Sequence, residues 1–283
     1  TDTTVTFDLG ATSTTALQAA VTAGGSATVK VMDAASNLSA ASTAVTLTVD
    51  YLKPSISSFT GLAATVNSAQ TITITTSEAA TGFAAADIVT SCGGTGTLTG
   101  SGTSYTYTWT PPTAYTGSCS FTIAAGNFTD AAGNGSTLYT VAGVVDNVAP
   151  TVTGVTGVSP NGTYIVGQTV DVSVNFSEPV TVAGGNPTLA IKSTPAGSTN
   201  AIYQSGSGTN KLVFRYTISV GDNSSDLNYA ATTSLALPAG VTIQDAATNN
   251  SILTLPAVTA GTAGNLATNA AIVVDALAPS APS

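Results

Sequence analysis

Histidine is absent from the 283-residue sequence, and only 7% of the residues are Asp, Glu, Lys or Arg. Without histidine, the chain lacks the most common general base and the most common ligand of transition metals. No serine lies in a nucleophile-type turn, and no glycine-rich phosphate loop precedes a helix. We therefore expect a protein that is not an enzyme.

Long hydrophobic runs are also absent. The apolar stretches are a few residues long and are interrupted by Thr and Gly, whereas a membrane-spanning helix needs about 20 apolar residues. The net charge is −9, and the five cationic residues are scattered along the chain. We expect no membrane insertion and no binding of nucleic acid or anionic lipid.

What the sequence has in abundance is threonine, at 52 positions, within a composition that is 43% hydrophobic. This hydrophobic content is enough to form a core, so we expect a folded chain rather than a disordered one. β-Branched residues favour strands, and apolar residues alternate with polar ones at Ile72 and Ile74 and from Val170 to Phe176. The pattern predicts an all-β fold.

Cysteine occurs only twice, at Cys92 and Cys119, with a spacing that matches neither a metal-binding nor a redox motif. We predict a disulfide between them, with two buried free thiols as the alternative. A disulfide would indicate an oxidising, extracytoplasmic compartment.

Three short segments recur along the chain. An Asp-Ala-Ala-x-Asn element begins at Asp33, Asp130 and Asp245, and each copy is followed by a β-rich run that ends in an Asp four residues before a Pro. A strand ending in Ser-Glu also recurs, at Glu78 and Glu178. Repeats of about 100 residues, made of short strands separated by turns, are typical of two-sheet sandwiches.

The repeats predict domain boundaries. We expect a unit at residues 1–51 that contains only the C-terminal half of a domain, complete units at 52–148 and 149–277, and the start of a linker at 278–283. The half unit could be truncated, completed by a strand from another molecule, or a compact shorter domain. Short joints that contain proline favour a semi-rigid, elongated rod.

Eight of the fourteen acidic residues occupy repeated positions, and oxygen ligands of this kind suit Ca²⁺. We predict calcium sites at the domain ends, although the spacing matches no EF-hand or nonapeptide calcium loop, and we predict no other cofactor. The alternative is turn chemistry alone, since Asp and Asn side chains bind local backbone amides. The candidate ligands are Asp33, Asp50, Glu78, Asp130, Asn134, Asp146, Glu178, Asp245 and Asp275.

These segments resemble the bacterial immunoglobulin-like repeats of large surface adhesins and related cell-surface proteins. The resemblance is carried by Phe176–Val180, Gly206–Thr209, Gly221–Asn223, the Asp-Ala-Ala-Gly-Asn element and the linker at Val145–Pro150. It covers the second and third units almost completely and only the C-terminal half of the first. Cys92 and Cys119 are not part of this pattern. The resemblance implies an immunoglobulin-like fold, export, and a spacer or adhesive role on a bacterial exterior.

Three functions remain open at this point. The chain could be a stalk segment that spaces a binding tip from the cell, with neighbouring Ig-like repeats as its partners and an unknown receptor or glycan at the tip. It could be a subunit that assembles with copies of itself into a filament, sheath or surface layer. It could also be a carbohydrate-binding module that uses Trp109, although aromatics at the strand spacing of Tyr105, Tyr107 and Trp109 are more typical of a core.

Overall fold

The computed structural model describes residues 26–27, 45–46, 50, 52–194 and 197–278. Of the predicted half unit at 1–51, it describes one antiparallel pair of strands, β1 (Ser26–Ala27) and β2 (Val45–Thr46). Asp33 and the question of how this unit is completed lie outside the described residues.

The strands between residues 56 and 146 form two four-stranded sheets, which we call the middle sandwich. One sheet has the order β3-β5-β8-β7 and the other β4-β10-β9-β6. Neighbouring strands are antiparallel except β4, which runs parallel to β10. The elements are β3 (Ile56–Thr60), β4 (Thr65–Val66), β5 (Gln70–Thr76), a 3-10 helix (Ala85–Asp87), β6 (Ile88–Thr90), β7 (Thr95–Ser101), β8 (Ser104–Thr110), β9 (Thr116–Ile123) and β10 (Tyr139–Asp146).

Strand β8 shows why this sequence folds as a sandwich. Tyr105, Tyr107 and Trp109 are buried, whereas the threonines between them are exposed. Because side chains alternate between the two faces of a strand, this spacing places all three rings in the core. The expectation that these aromatics belong to the core is confirmed, and the suggested sugar-binding platform at Trp109 is wrong, because its side chain is only 1% exposed.

The disulfide between Cys92 and Cys119 is present. Cys119 is a buried residue of β9, and Cys92 follows the edge strand β6, which pairs with β9. The bridge therefore fixes the end of an edge strand to the core of the middle sandwich.

The strands between residues 152 and 275 form the C-terminal sandwich. Its larger sheet has the order β11-β13-β16-β15-β14-β18, with β19 beside β13, and its smaller sheet has the order β12-β20-β17. The elements are β11 (Val152–Gly157), β12 (Gly162–Tyr164), β13 (Thr169–Ala183), β14 (Thr188–Ile191), β15 (Thr199–Ser205), β16 (Thr209–Thr217), β17 (Asn223–Ser224), β18 (Leu235–Ala236), β19 (Thr242–Gln244), the four-residue helix α1 (Leu266–Asn269) and β20 (Ile272–Asp275).

Each sandwich has its own cluster of buried side chains. The alternating Val170, Val172 and Val174 belong to the C-terminal cluster, and Ile72 and Ile74 belong to the middle one. The all-β, immunoglobulin-like prediction is confirmed. The domain boundaries and the elongated rod stay predictions. Within the described part of the chain, no helix is long and apolar enough to cross a membrane.

Candidate metal centres

The repeated Asp-Ala-Ala-x-Asn element forms a closed turn at residues 130–134. The carboxylate of Asp130 accepts hydrogen bonds from the backbone N of Asn134 at 2.8 Å and from its Nδ2 at 2.7 Å. Gly133 closes the turn in the left-handed region, at φ 90°, where glycine carries no steric penalty. The turn holds the Asp130 carboxylate, which is buried, in one orientation.

The turn at residues 245–249 repeats these contacts. Asp245 accepts from the backbone N and from the Nδ2 of Asn249, each at 2.8 Å. Thr248 occupies the place of Gly133 and also has a positive φ, of 67°. A β-branched residue in this region is strained, so the turn geometry is maintained at a cost.

Each turn is tied to the acidic residue that precedes its sandwich. Nδ2 of Asn134 donates to the backbone oxygen of Asp50, and Nδ2 of Asn249 donates to that of Asp146, both at 2.9 Å. Asn134, predicted as a calcium ligand, uses its amide nitrogen to link Asp130 and Asp50.

The two glutamates are placed by their Ser-Glu pairs. Ser77 donates its backbone N–H to the carbonyl of Ser55 and accepts the backbone N–H of Ser55 on its hydroxyl, at 2.8 and 3.0 Å. Ser177 makes the same two bonds with Thr151, at the same distances. The first residues of each sandwich are therefore hydrogen-bonded to the serine that precedes its glutamate.

Three carboxylates meet at each place. One carboxylate oxygen each of Asp50, Glu78 and Asp130 lies within 4.8 Å of the other two, and the same holds for Asp146, Glu178 and Asp245. We call these sets the Asp50 triad and the Asp146 triad. Among the described residues, the one pair of opposite charges within 4 Å is Arg215–Asp171, so neither triad has a Lys or Arg partner there.

Burial and mutual repulsion disfavour full ionisation of the triads. Burial, followed by the charges of Asp50 and Asp130, raises the pKa of Glu78. Burial and the charges of Asp146 and Asp245 raise the pKa of Glu178 in the same way. For Asp130, burial acts in the same direction, but hydrogen bonds from Asn134 and from nearby backbone amides lower its pKa overall.

The donor set fits a hard cation. Two ligands of one calcium ion lie at most about 5 Å apart, since each sits roughly 2.3–2.6 Å from the metal, and the triad oxygens meet this limit. Oε1 of Glu78 is buried and has no hydrogen-bond partner among the described residues. A buried carboxylate oxygen without a partner is costly, and a cation would compensate it.

One predicted ligand, Asp275, lies apart from the triads. Asp275 is exposed and lies outside both triads, although its Oδ1 accepts the backbone N–H of Leu277 at 3.4 Å, as Asp146 does from Val148. Asp222, in the segment Gly221–Asn223, accepts hydrogen bonds on its carboxylate from the hydroxyl of Tyr216 at 2.6 Å and from the backbone N–H of Ser219 at 2.7 Å.

One contact was missed by sequence reasoning. Nδ2 of Asn67 donates to the backbone oxygen of Ala247 at 2.6 Å and to Oγ1 of Thr248 at 3.0 Å. Asn67, a residue of the middle sandwich, is therefore hydrogen-bonded to the turn of the C-terminal sandwich. A single Asn after a two-residue strand carries no repeat or periodic signal by which it could have been found.

The triads predict a pH dependence. In the absence of divalent cations, we expect the free energy of unfolding to increase as the pH is lowered from 7 to 5. The raised pKa values of Glu78 and Glu178 mean that the folded state binds these protons more tightly. The contribution of the two glutamates to the free energy of unfolding is complete when the pH is below their ordinary pKa of 4.5. It is lost as the pH rises through their raised pKa values in the folded state. Asp130 acts in the opposite direction, so its contribution is lost on acidification below 3.8.

Urea denaturation in a chelator at pH 5 and pH 7 measures this difference. The double variant E78Q/E178Q is the control, because it keeps the side-chain shape and removes both titrating groups. Its stability difference between the two pH values should be smaller than that of the parent chain. Equal differences in the two proteins would contradict the assignment.

Comparison with known protein families agrees with this architecture over one part of the chain. Residues 50–143 match the sequence model of the bacterial Ig-like domain, a stretch that runs from Asp50 to within β10 and contains the Asp50 triad. The resemblance stated from the sequence is confirmed for this stretch. No curated protein matches the chain.

Proposed function

We propose, from the bacterial Ig-like domain at residues 50–143, that this chain is a stalk segment of an extracellular bacterial surface protein. Domains of this type occur typically in extracellular or surface proteins and are non-catalytic. The stalk would hold an adhesive tip away from the cell. The observation that carries this proposal is the repeated junction, in which the same contacts recur at the Asp50 and Asp146 triads.

A stalk must transmit orientation from one unit to the next, and the second junction has the parts for this. The connection from β10 to β11 consists only of residues 147–151, which is too short for free tumbling. Asn249 bonds to Asp146 at the end of the middle sandwich, and Asn67 bonds back to Ala247. These bonds cross between the sandwiches in both directions.

Calcium would complete the junction. Asp146 comes from the last strand of the middle sandwich, whereas Glu178 and Asp245 come from the C-terminal sandwich. An ion held by all three would remove the repulsion among them and fix the two sandwiches to each other. The Asp50 triad would do the same between Asp50, which precedes the middle sandwich, and that sandwich.

Calcium titration tests this proposal. We expect at least two binding events in calorimetry, with stabilisation by about 2.7 kcal/mol per site when free calcium is at about 100 times its Kd. Small-angle scattering should show an elongated monomer whose distribution of shapes narrows when calcium is added. An assembling subunit would instead sediment as polymers.

Matched variants locate the ions. E78Q and E178Q should each remove one binding event, whereas D226N, which changes a carboxylate outside both triads, should remove none. Binding that is unchanged in E78Q/E178Q would exclude the triads as the sites. A broad distribution of shapes in the presence of calcium would contradict the stalk function, wherever the ions bind.

A further inference from the structure

The C-terminal sandwich ends in a face built from three segments, residues 165–168, 218–222 and 275–277. Backbone bonds hold them side by side: Gly167 donates to Ile218 at 2.9 Å, Ile218 donates to Gln168 at 3.0 Å, and Gly221 donates to Ala276 at 3.0 Å. We call these segments the free end face.

The middle sandwich has a corresponding face, and that face is occupied. Strand β4 runs parallel to β10, with Val66 opposite Val145, and β12 runs parallel to β20, with Tyr164 opposite Val274. The residues that directly follow these two pairs therefore occupy equivalent positions in the two sandwiches. Ile165 stands where Asn67 stands, and Asp275 stands where Asp146 stands.

Both counterparts of these residues bind the next unit. Asn67 donates to Ala247 and Thr248, and Asp146 accepts from Asn249 and belongs to a triad. The face of the middle sandwich is thus a docking surface for an Asp-Ala-Ala-x-Asn turn. The local geometry of Asp275 matches that of Asp146, because each accepts the backbone N–H two residues later at 3.4 Å.

The free end face exposes several large apolar side chains. Ile165 is 55% exposed, Val166 49%, Val220 83% and Leu277 55%. Exposure of four large apolar side chains on three adjoining segments is typical of an interaction surface. At the position of Ile165, the middle sandwich has the polar amide of Asn67.

We propose that the free end face docks the Asp-Ala-Ala-x-Asn turn of a further Ig-like unit, through apolar contact and with Asp275 as a carboxylate of the new junction. This inference rests on the proposed stalk function. Ile165 cannot donate the hydrogen bond that Asn67 makes to the hydroxyl of Thr248, so a Thr at the fourth position would lose that partner, whereas Gly has no hydroxyl to satisfy. The face therefore selects a turn that carries Gly there, as at Gly133.

A fusion tests the docking. Residues 54–148 are joined after Ala278 of the full chain, which keeps Asp275 four residues before Pro54, the spacing found at Asp50. Hydrogen exchange is then followed at the backbone amides of residues 165–168 and 218–222 in a chelator. We expect exchange at least tenfold slower than in the unmodified chain, and slower still with calcium.

Two controls keep the outcome specific. The variant I165D/V220D should lose the protection, whereas I202D, which changes an exposed side chain on the face of β15, should retain it. Protection no greater than in a fusion through a long Gly/Ser linker would overturn the proposal. Protection that grows with the concentration of the unmodified chain would also overturn it, because the occupant would then be a second copy.

The same samples separate this inference from the stalk function. Exchange at the amide of Ala247, compared between the unmodified chain and its N67A variant, reports on the natural junction, because Asn67 bonds across it to Ala247. If that junction is protected and the fusion is not, only the docking proposal fails. If neither is protected, the stalk function fails with it.

Discussion

Replacing Cys92 and Cys119 together by alanine is expected to destabilise the middle sandwich by about 3–4 kcal/mol. The bridge joins residues 27 apart, and opening such a loop increases the conformational entropy of the unfolded chain. Cys119 is also buried beside the inward-facing residues of β9, so its loss adds a small packing cost. Urea denaturation, read from the fluorescence of Trp109, measures the change in this sandwich.

Reduction of the parent protein separates the entropic effect of the loop from the packing cost, because it opens the loop without removing the side chain of either cysteine. The reduced parent should lose most of the same stability, and the remainder in the alanine variant reports the packing. The C-terminal sandwich contains neither cysteine, so its unfolding should not shift. A loss below about 1 kcal/mol on reduction would show that the bridge adds little to the fold.

The sequence could predict those features of the fold that depend on local pattern. Period-two alternation located β5, β8 and the first half of β13, because one face of each strand is buried. The repeated acidic residues were predicted as calcium ligands at the domain ends, because equivalent positions in similar domains occupy equivalent places. Six of these acids, Asp50, Glu78 and Asp130 and their three counterparts, lie in the two triads. Whether calcium binds there stays a prediction.

The remaining features depend on contacts between distant residues. Strand β13 has 15 residues and changes partner along its length, pairing with β16 and then, at Thr181–Ala183, with β19. The pairing with β16 is irregular between Asn175 and Val180, and Glu178 lies in this stretch. The strands β4 and β12 are two and three residues long, too short for alternation to identify. Their parallel partners are about 80 and 110 residues away.

The composition of a turn also does not predict the hydrogen-bond partners of a buried carboxylate. Asp222 belongs to the segment Gly221–Asn223 that contributed to the resemblance, and its carboxylate is buried and accepts the hydroxyl of Tyr216. Burial, followed by the bond to Asp222, raises the pKa of that hydroxyl. A short buried bond of this kind depends on β16 and the following loop meeting, which the order of residues alone does not specify.

Trp109→Ala is expected to cost about 3–5 kcal/mol, the range for removal of a large aromatic from a packed core. The side chain is 1% exposed and meets Phe121 edge to face, with ring centroids 4.8 Å apart. Gly94 provides the space for the ring, because a Cβ there would approach Nε1 of Trp109 to 2.8 Å. The cavity left by alanine is therefore enclosed on several sides and cannot readily collapse.

Trp109→Phe is the matched control. Nε1 of Trp109 is buried and has no hydrogen-bond partner among the described residues, so phenylalanine removes volume but no hydrogen bond. Its cost should be about 1–2 kcal/mol, well below that of alanine. Thermal and urea unfolding of the two variants give the comparison. If alanine cost less than about 1 kcal/mol while abolishing binding to a glycan array, Trp109 would be a ligand platform and its assignment to the core would be wrong.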